Sequence, residues 1–183
     1  MIIGITGTMA SGKDTAAEYL KEKGCAHYSL SDIVREECDA RGLPKDRDTL
    51  RELANELRRD FGADILASRA IEKIQREKPK NIIITSIRSA EEIKTLKKIP
   101  GFELICIDAP VELRYERIKN RQRESDFIDF KTFKHQEELE LAGGANKQNI
   151  KDAIALADYT IINDETLEEL KEKIEKIISF TAI

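Results

Sequence analysis

An α/β fold, with a parallel sheet covered by helices on both faces, is predicted by three observations. The runs Ile2-Ile3-Gly4-Ile5, Asn81 to Thr85 and Phe102 to Asp108 are continuously apolar or β-branched, as strands buried on both sides must be. The stretches between them carry apolar residues at helical spacing. Strand and helix alternate along the chain, which sets parallel strands side by side and sends the connections over the two faces.

The elements follow in order. Residues 1–6 read as the first strand and 12–23 as the helix after it, with Gly24 as its left-handed cap. Ala26 to Leu30 is a second strand, in which His27 reads as a packed or half-exposed strand residue rather than a ligand. Ser31 and Asp32 are expected to open a helix over 32–41, ended by Gly42 and Pro44. Leu50, Leu53, Ala54 and Leu57 predict a helix over 49–61, and Ile65, Leu66, Ala70, Ile71 and Ile74 another over 63–77, with the break at Gly62. Residues 31–78 are therefore a mainly helical insertion. Its Arg51, Arg58, Arg59 and Arg69 read mostly as solvated faces, with one or two turned into a pocket. After the strand at 81–85, Ser89 and Glu92 form a capping box that opens a helix over 89–98. Pro100-Gly101 turns the chain into the strand at 102–108, and Pro110 starts a helix through Leu113, Arg114, Arg117 and Ile118.

Residues 119–147 are the least regular, with a charged run from Asn120 to Asp129, a helix over 130–141 and an interruption at Gly143-Gly144. They read as a lid or, more plainly, as a solvated excursion. A helix at 148–157, a strand at 158–162, a turn at Asn163-Asp164 and an amphipathic helix over 166–178 close the chain. One domain is expected, with a core of 1–30, 79–118 and 148–183, the helical insert 31–78 and the lid 119–147.

Composition bounds the function. The 183 residues suit a single domain with a well-buried core. A net charge of −4 argues against a general nucleic-acid-coating role, although a pocket can still be locally basic. Cys25, Cys38 and Cys106 are odd in number and widely spaced, which predicts reduced thiols in a cytoplasmic protein. With two histidines and no Cys/His cluster, a dedicated zinc site is not expected. No apolar run approaches the ~18 residues of a membrane span, and Met1 leads straight into a core strand, so neither a membrane segment nor a signal peptide is expected.

Function is read from the residues directly after the strand ends, because ligands of open parallel sheets bind there. Gly7 to Gly12-Lys13 spells G-x-x-x-x-G-K between a strand and a helix, the context of a phosphate-binding loop. Glycines let successive N–H groups turn toward one anion, the helix presents its positive end, and Lys13 adds a mobile charge. The loop residues Gly7, Thr8, Met9, Ala10, Ser11, Gly12, Lys13, Asp14 and Thr15 are the candidate donor-phosphate site. Asp14 stands where the strict motif has Ser or Thr, and Thr15 follows one place later. Asp32, Arg88 and Asp108 also follow strand ends and converge on the same edge. Arg35 lies three residues after Asp32, on one helical face with it. Arg117, Arg121 and Arg123 have the spacing of a helix face running into a loop, suited to neutralising a moving phosphoryl group; Arg123 serves equally as a surface ion-pair partner.

Taken together, these segments resemble the P-loop kinases of the nucleoside-monophosphate-kinase type, including dephospho-CoA kinase and phage deoxynucleotide kinases. GTMASGKDT is similar to the adenylate kinase loop, which also has threonine one place after the usual position. SLSDIVRE resembles the acceptor-site S-x-G-D-x-x-R with Ser31 in place of glycine, and ITSIRSAEEI resembles the strand ending in D-G-x-x-R or D-x-I-R. ELRYERIKNRQR resembles the lid entry E-R-x-x-x-R, and ADYTIINDETLEELKEKI the closing segment of dephospho-CoA kinases. The resemblance implies a three-layer P-loop fold with a five-stranded sheet in the order 2-3-1-4-5, an acceptor-binding insert and a lid. It implies ATP and Mg²⁺ as cofactors and a small nucleotide as substrate. Lys13, Arg88, Arg117 and Arg121 become the catalytic candidates, Asp32, Arg35 and Arg88 the acceptor site, and Asp14 and Thr15 the metal candidates. Thr85 departs from the family, many of whose members keep an acidic residue there that supports Mg²⁺ through water. Asp14 can take over that duty, or serve only as a helix-start carboxylate. The acceptor is expected to be a (deoxy)nucleoside monophosphate, with dephospho-CoA as the enzymatic alternative. An ATP-binding regulatory module without an acceptor is the alternative from another class. The oligomeric state is not fixed, with a monomer favoured.

Overall fold

In the computed structural model, which describes residues 1–121, 129–141 and 150–181, five parallel strands form one sheet in the order β2-β3-β1-β4-β5. The strands are β1 (Ile2–Gly7), β2 (Ala26–Ser29), β3 (Ile82–Thr85), β4 (Phe102–Asp108) and β5 (Tyr159–Ile162). The helices are α1 (Lys13–Glu22), α2 (Leu30–Arg41), α3 (Arg47–Phe61), α4 (Ile65–Glu77), α5 (Ala90–Leu96), α6 (Val111–Arg121), α7 (Phe130–Leu141), α8 (Ile150–Ala155) and α9 (Leu167–Thr181).

Side chains alternate across the sheet and build a core on each face. Ile3, Ile5, Ile83, Ile105 and Ile107 pack with Ala16 and Leu20 of α1 and Leu170 and Ile174 of α9. Ile82, Ile84 and Leu104 pack on the other face with α2, α3, α4, α5 and Ala153 of α8. The three layers match the expected architecture, and β4 has the expected bounds.

Two local readings need correction. Ser31 and Asp32 do not cap α2: Ser29, in extended conformation, is its cap, and the helix begins at Leu30 directly from β2. Asp32 therefore sits in the first turn, where a carboxylate meets the positive end of the helix. Arg58 is neither solvated nor turned into an open pocket; its side chain is paired with Glu92 in the interior. Arg51 and Arg59 do lie on the surface, paired with Asp48 and Asp60. All three cysteines are free and buried. His27 is exposed on β2, its Nε2 2.8 Å from Thr85 Oγ1. Among the described residues no helix is long and apolar enough to cross a membrane.

Candidate active site

The loop between β1 and α1 sits where the middle of the sheet ends, and its shape depends on close approach. Gly7 lies opposite Ile107 of β4, and a Cβ there would come 1.9 Å from the Ile107 carbonyl oxygen. At Gly12 the backbone is left-handed, with φ 104°, and a Cβ would meet Asn163 Nδ2 at 2.3 Å. Ala10, although not glycine, also holds a positive φ of 58°. Such local reversals curl successive amides into an anion-binding concavity. Lys13 Nζ donates to the Thr8 carbonyl and closes the loop on itself.

Ala10, Ser11, Gly12, Lys13, Asp14 and Arg117 line one cleft. Arg117 reaches it from α6 and is held there by donating to the Asn163 carbonyl at 2.9 Å. Burial pulls its guanidinium below the usual arginine range. Its Nη1, like Ser11 Oγ, is buried without a hydrogen-bond partner among the described residues. Asp14 and Thr15 lie exposed in the first turn of α1. Arg121 ends α6, but its side chain lies outside the described residues, as does all of Arg123. Of the expected lid, α7 is described and the Gly143-Gly144 interruption is not.

Three further residues complete the donor side, of which the sequence places only Asp108 on this edge. Asn163, directly after β5 and 7% exposed, donates from Nδ2 to the Ser11 carbonyl at 2.7 Å. Its backbone N–H bonds the Asp108 carbonyl, also at 2.7 Å. One residue thus ties the loop, β4 and Arg117 together. Asp108, at the end of β4, accepts from Thr8 Oγ1 at 2.5 Å and puts a carboxylate beside the loop. Arg114, almost wholly buried, donates to the Ala109 carbonyl at 2.7 Å and the Met9 carbonyl at 3.4 Å. It also grips both carboxylate oxygens of Glu137 on α7. The strand-end rule points to Asp108; applied to β5 it also reaches Asn163, which the sequence marks only as a turn residue. Arg114 carries no comparable signal, because its partners come from three separate segments.

The acceptor-side candidates lie at the ends of β2 and β3. Asp32 and Arg35 pair at 3.2 Å and are both half exposed; Arg35 also donates to Ser31 Oγ at 2.7 Å. Ser31 belongs to a hydroxyl cluster with Ser29 and Ser86, with the Ser29 oxygen 2.8 Å from Ser31 and 2.9 Å from Ser86. Arg88 follows β3, half buried, with its backbone N–H on Glu92. It is not among the residues lining the cleft at Arg117. Asp32, Arg35 and Arg88 thus follow β2 and β3, while the loop after β1 and Arg117 line the cleft.

Comparison with known proteins bears on this arrangement. A UPF0200 protein of Sulfurisphaera tokodaii is 36% identical over 177 residues, covering 97% of this chain and 95% of the relative. The chain belongs to the UPF0200 family. A Thermococcus onnurineus member is 32% identical over 183 residues, with 97% and 96% covered. A UPF0200/UPF0201 protein of Archaeoglobus fulgidus is 35% identical over 181 residues, but the chain spans only 54% of its length. The family described as an AAA domain matches residues 3–143. Among solved structures, TT1252 from Thermus thermophilus superposes with a TM-score of 0.63 at 17% identity, covering 98% of this chain and 96% of the other. Shikimate kinase from Bacteroides thetaiotaomicron gives 0.59 at 12% identity, with 98% of each chain covered. At such identities the likeness is one of fold, and the fold is P-loop kinase-like.

Proposed function

We propose that this protein is an ATP- and Mg²⁺-dependent phosphotransferase that passes the γ-phosphoryl group to a small phosphate-bearing acceptor, a (deoxy)nucleoside monophosphate. The observation that carries the proposal is the cleft shared by loop residues 10–14 and Arg117. A half-buried arginine whose buried Nη1 has no hydrogen-bond partner among the described residues, set beside a glycine-rich loop, is matched to an anion. Ser11 Oγ, also without a partner among the described residues, fits the same ligand. Phosphoryl transfer asks a protein chiefly for alignment and for positive charge on the moving group. The loop amides and Lys13 hold the donor, and Arg117 neutralises charge that builds as the phosphoryl group leaves.

The metal fits as a companion of the phosphates. Among the described residues no three His, Cys, Asp or Glu side chains stand together, and Mg²⁺ characteristically binds through one or two carboxylates, phosphates and water. Thr15 with Asp14 or Asp108 would hold it. When bound, it supplies charge to the phosphate oxygens.

Arg35 and Arg88, at the ends of β2 and β3, are assigned to the acceptor, and this second basic group sets a two-substrate site apart from a simple ATP-binding module. A phosphate acceptor is already ionised and needs no general base. A hydroxyl acceptor, as in dephospho-CoA kinase, needs one, and the half-exposed Asp32 carboxylate favours keeping it as a second reading. A coupled assay of ADP release over a panel of nucleoside monophosphates and dephospho-CoA tests both. The first expects turnover above the no-acceptor rate with a monophosphate. The second expects it with dephospho-CoA, and its collapse in Asp32→Asn with ATP affinity kept. If nothing on the panel stimulates turnover, the kinase assignment fails.

A further inference from the structure

Between the helical insert and the loop after β3 lies an ion pair with no access to water. The side chains of Arg58, on α3, and Glu92, on α5, are 2% and 0% exposed. Glu92 Oε1 accepts from Arg58 Nη2 at 2.8 Å and Nε at 3.3 Å. Its other oxygen accepts from the backbone N–H groups of Arg88 at 2.9 Å and Ser89 at 3.2 Å. A capping box needs only the serine and the glutamate, and it works on a surface. Burying a full charge pair to make one is expensive, because desolvation offsets much of the attraction.

The segment this pair holds is fixed at every residue. Ser86 has a φ of 61°, a conformation that non-glycine residues rarely adopt. Its hydroxyl is tied to Ser29 and Ser31. Thr6 Oγ1 on β1 donates to the Ile87 carbonyl at 3.0 Å in the interior. Glu92 then takes the next two amides. Strain persists where the surroundings over-determine it, and it collects where a side chain must be aimed. The side chain at the end of this segment is Arg88.

We propose that Arg58 and Glu92 are positioning residues for the acceptor: through the backbone of 86–89 they aim the Arg88 guanidinium, and they make the helical insert and that loop move as one body. Neither touches the substrate. This rests on the two-substrate assignment above.

The experiment compares the affinity of the Mg²⁺-loaded protein for ATP with that for diadenosine pentaphosphate, which spans a donor and an acceptor site. The wild type is expected to prefer the double ligand, because both sites are filled at once. Replacing the pair by apolar residues of similar size, Arg58→Met with Glu92→Met, keeps the core filled. It is expected to lower that preference about tenfold or more while ATP affinity stays within about twofold, the size of coupling that touching residues show. Combined with Arg88→Ala, it is expected to add nothing to the loss caused by Arg88→Ala alone. If the double variant does not fold, Arg58→Lys, which keeps the buried charge but loses the two-pronged grip, is read in the same way. A lowered melting temperature with the preference intact overturns the inference and makes the pair purely structural. A wild type that shows no preference for diadenosine pentaphosphate, nor for the analogues carrying each other nucleoside of the panel, or dephospho-CoA, at the acceptor end, overturns the two-substrate assignment itself and the inference with it.

Discussion

Replacing Asn163 by leucine removes one hydrogen bond from the donor loop and leaves the main-chain bonds around it in place. The side chain donates to the Ser11 carbonyl at 2.7 Å, while the bonds to Arg117 and Asp108 run through the Asn163 backbone. The Ser11-Gly12 peptide is trans, as every peptide bond in the described chain is. A carbonyl turned toward Asn163 therefore turns the Gly12 N–H the opposite way. Leucine leaves that carbonyl buried without its donor, at a cost of about 1–3 kcal/mol. If this falls on the loop conformation that binds phosphate, ATP binds about 5- to 150-fold more weakly, at 1.4 kcal/mol per tenfold. If it also falls on folding, the melting temperature drops by about 2–12 °C for a domain of this size. Isothermal titration with ATP and Mg²⁺, beside a thermal melt, reads both quantities. An unchanged affinity together with a lowered melt refutes the claim that Asn163 shapes the phosphate site. Unchanged values of both refute the hydrogen bond as an energetic contributor at all.

Arg117→Met is expected to weaken ATP binding roughly tenfold or more, the loss of a charged phosphate contact, yet cost little stability, because the half-buried, desolvated cation goes together with its hydrogen bond to the Asn163 carbonyl. Titration calorimetry and a melt check it, and a large loss of stability contradicts it. Arg114→Met strands the nearly buried Glu137 carboxylate and is expected to cost about 3–5 kcal/mol in a denaturant titration. Adding Glu137→Leu is expected to restore most of that. Tyr28, whose hydroxyl donates to Glu77 at 2.6 Å, has its pKa raised by burial from 10.0 to about 12. Below pH 10 the phenol is neutral in both states; above it the unfolded chain ionises first, so stability falls as pH rises from about 10 to about 12. Melts across that window should show a shallower fall in Tyr28→Phe, and identical slopes would contradict the assignment.

What the sequence carries well is what short-range physics decides. The β-branched run of β3 and the loop between β1 and α1 are visible in a few consecutive letters. The Ser89-Glu92 capping box forms as its spacing predicts. What it carries poorly is work that one residue does for a distant one. Glu92 is a capping residue by spacing, but its charge partner Arg58 lies thirty-four positions earlier, so helical periodicity assigns that arginine to a solvated face. Asn163 looks like an ordinary turn residue; its bond to Ser11 spans 152 positions. Ser29 caps α2 in place of Ser31 and Asp32, since β2 runs straight into the helix and leaves no linker for a side-chain cap. The loop, Arg35 and Arg88 follow strand ends as the alternation predicts, but that Arg117 lines the cleft beside the loop is a tertiary contact that no motif encodes.

The central claim is transfer between two bound substrates, and the most direct measurement follows the phosphoryl group itself. The protein is incubated with Mg²⁺ and γ-³²P-labelled ATP together with each acceptor of the panel in turn, and the small-molecule fraction is separated. The account predicts that label moves from ATP to a nucleoside monophosphate, giving labelled diphosphate in step with ADP, and that Arg117→Met slows the transfer. Label recovered only as ATP and inorganic phosphate, whatever the acceptor, would contradict it.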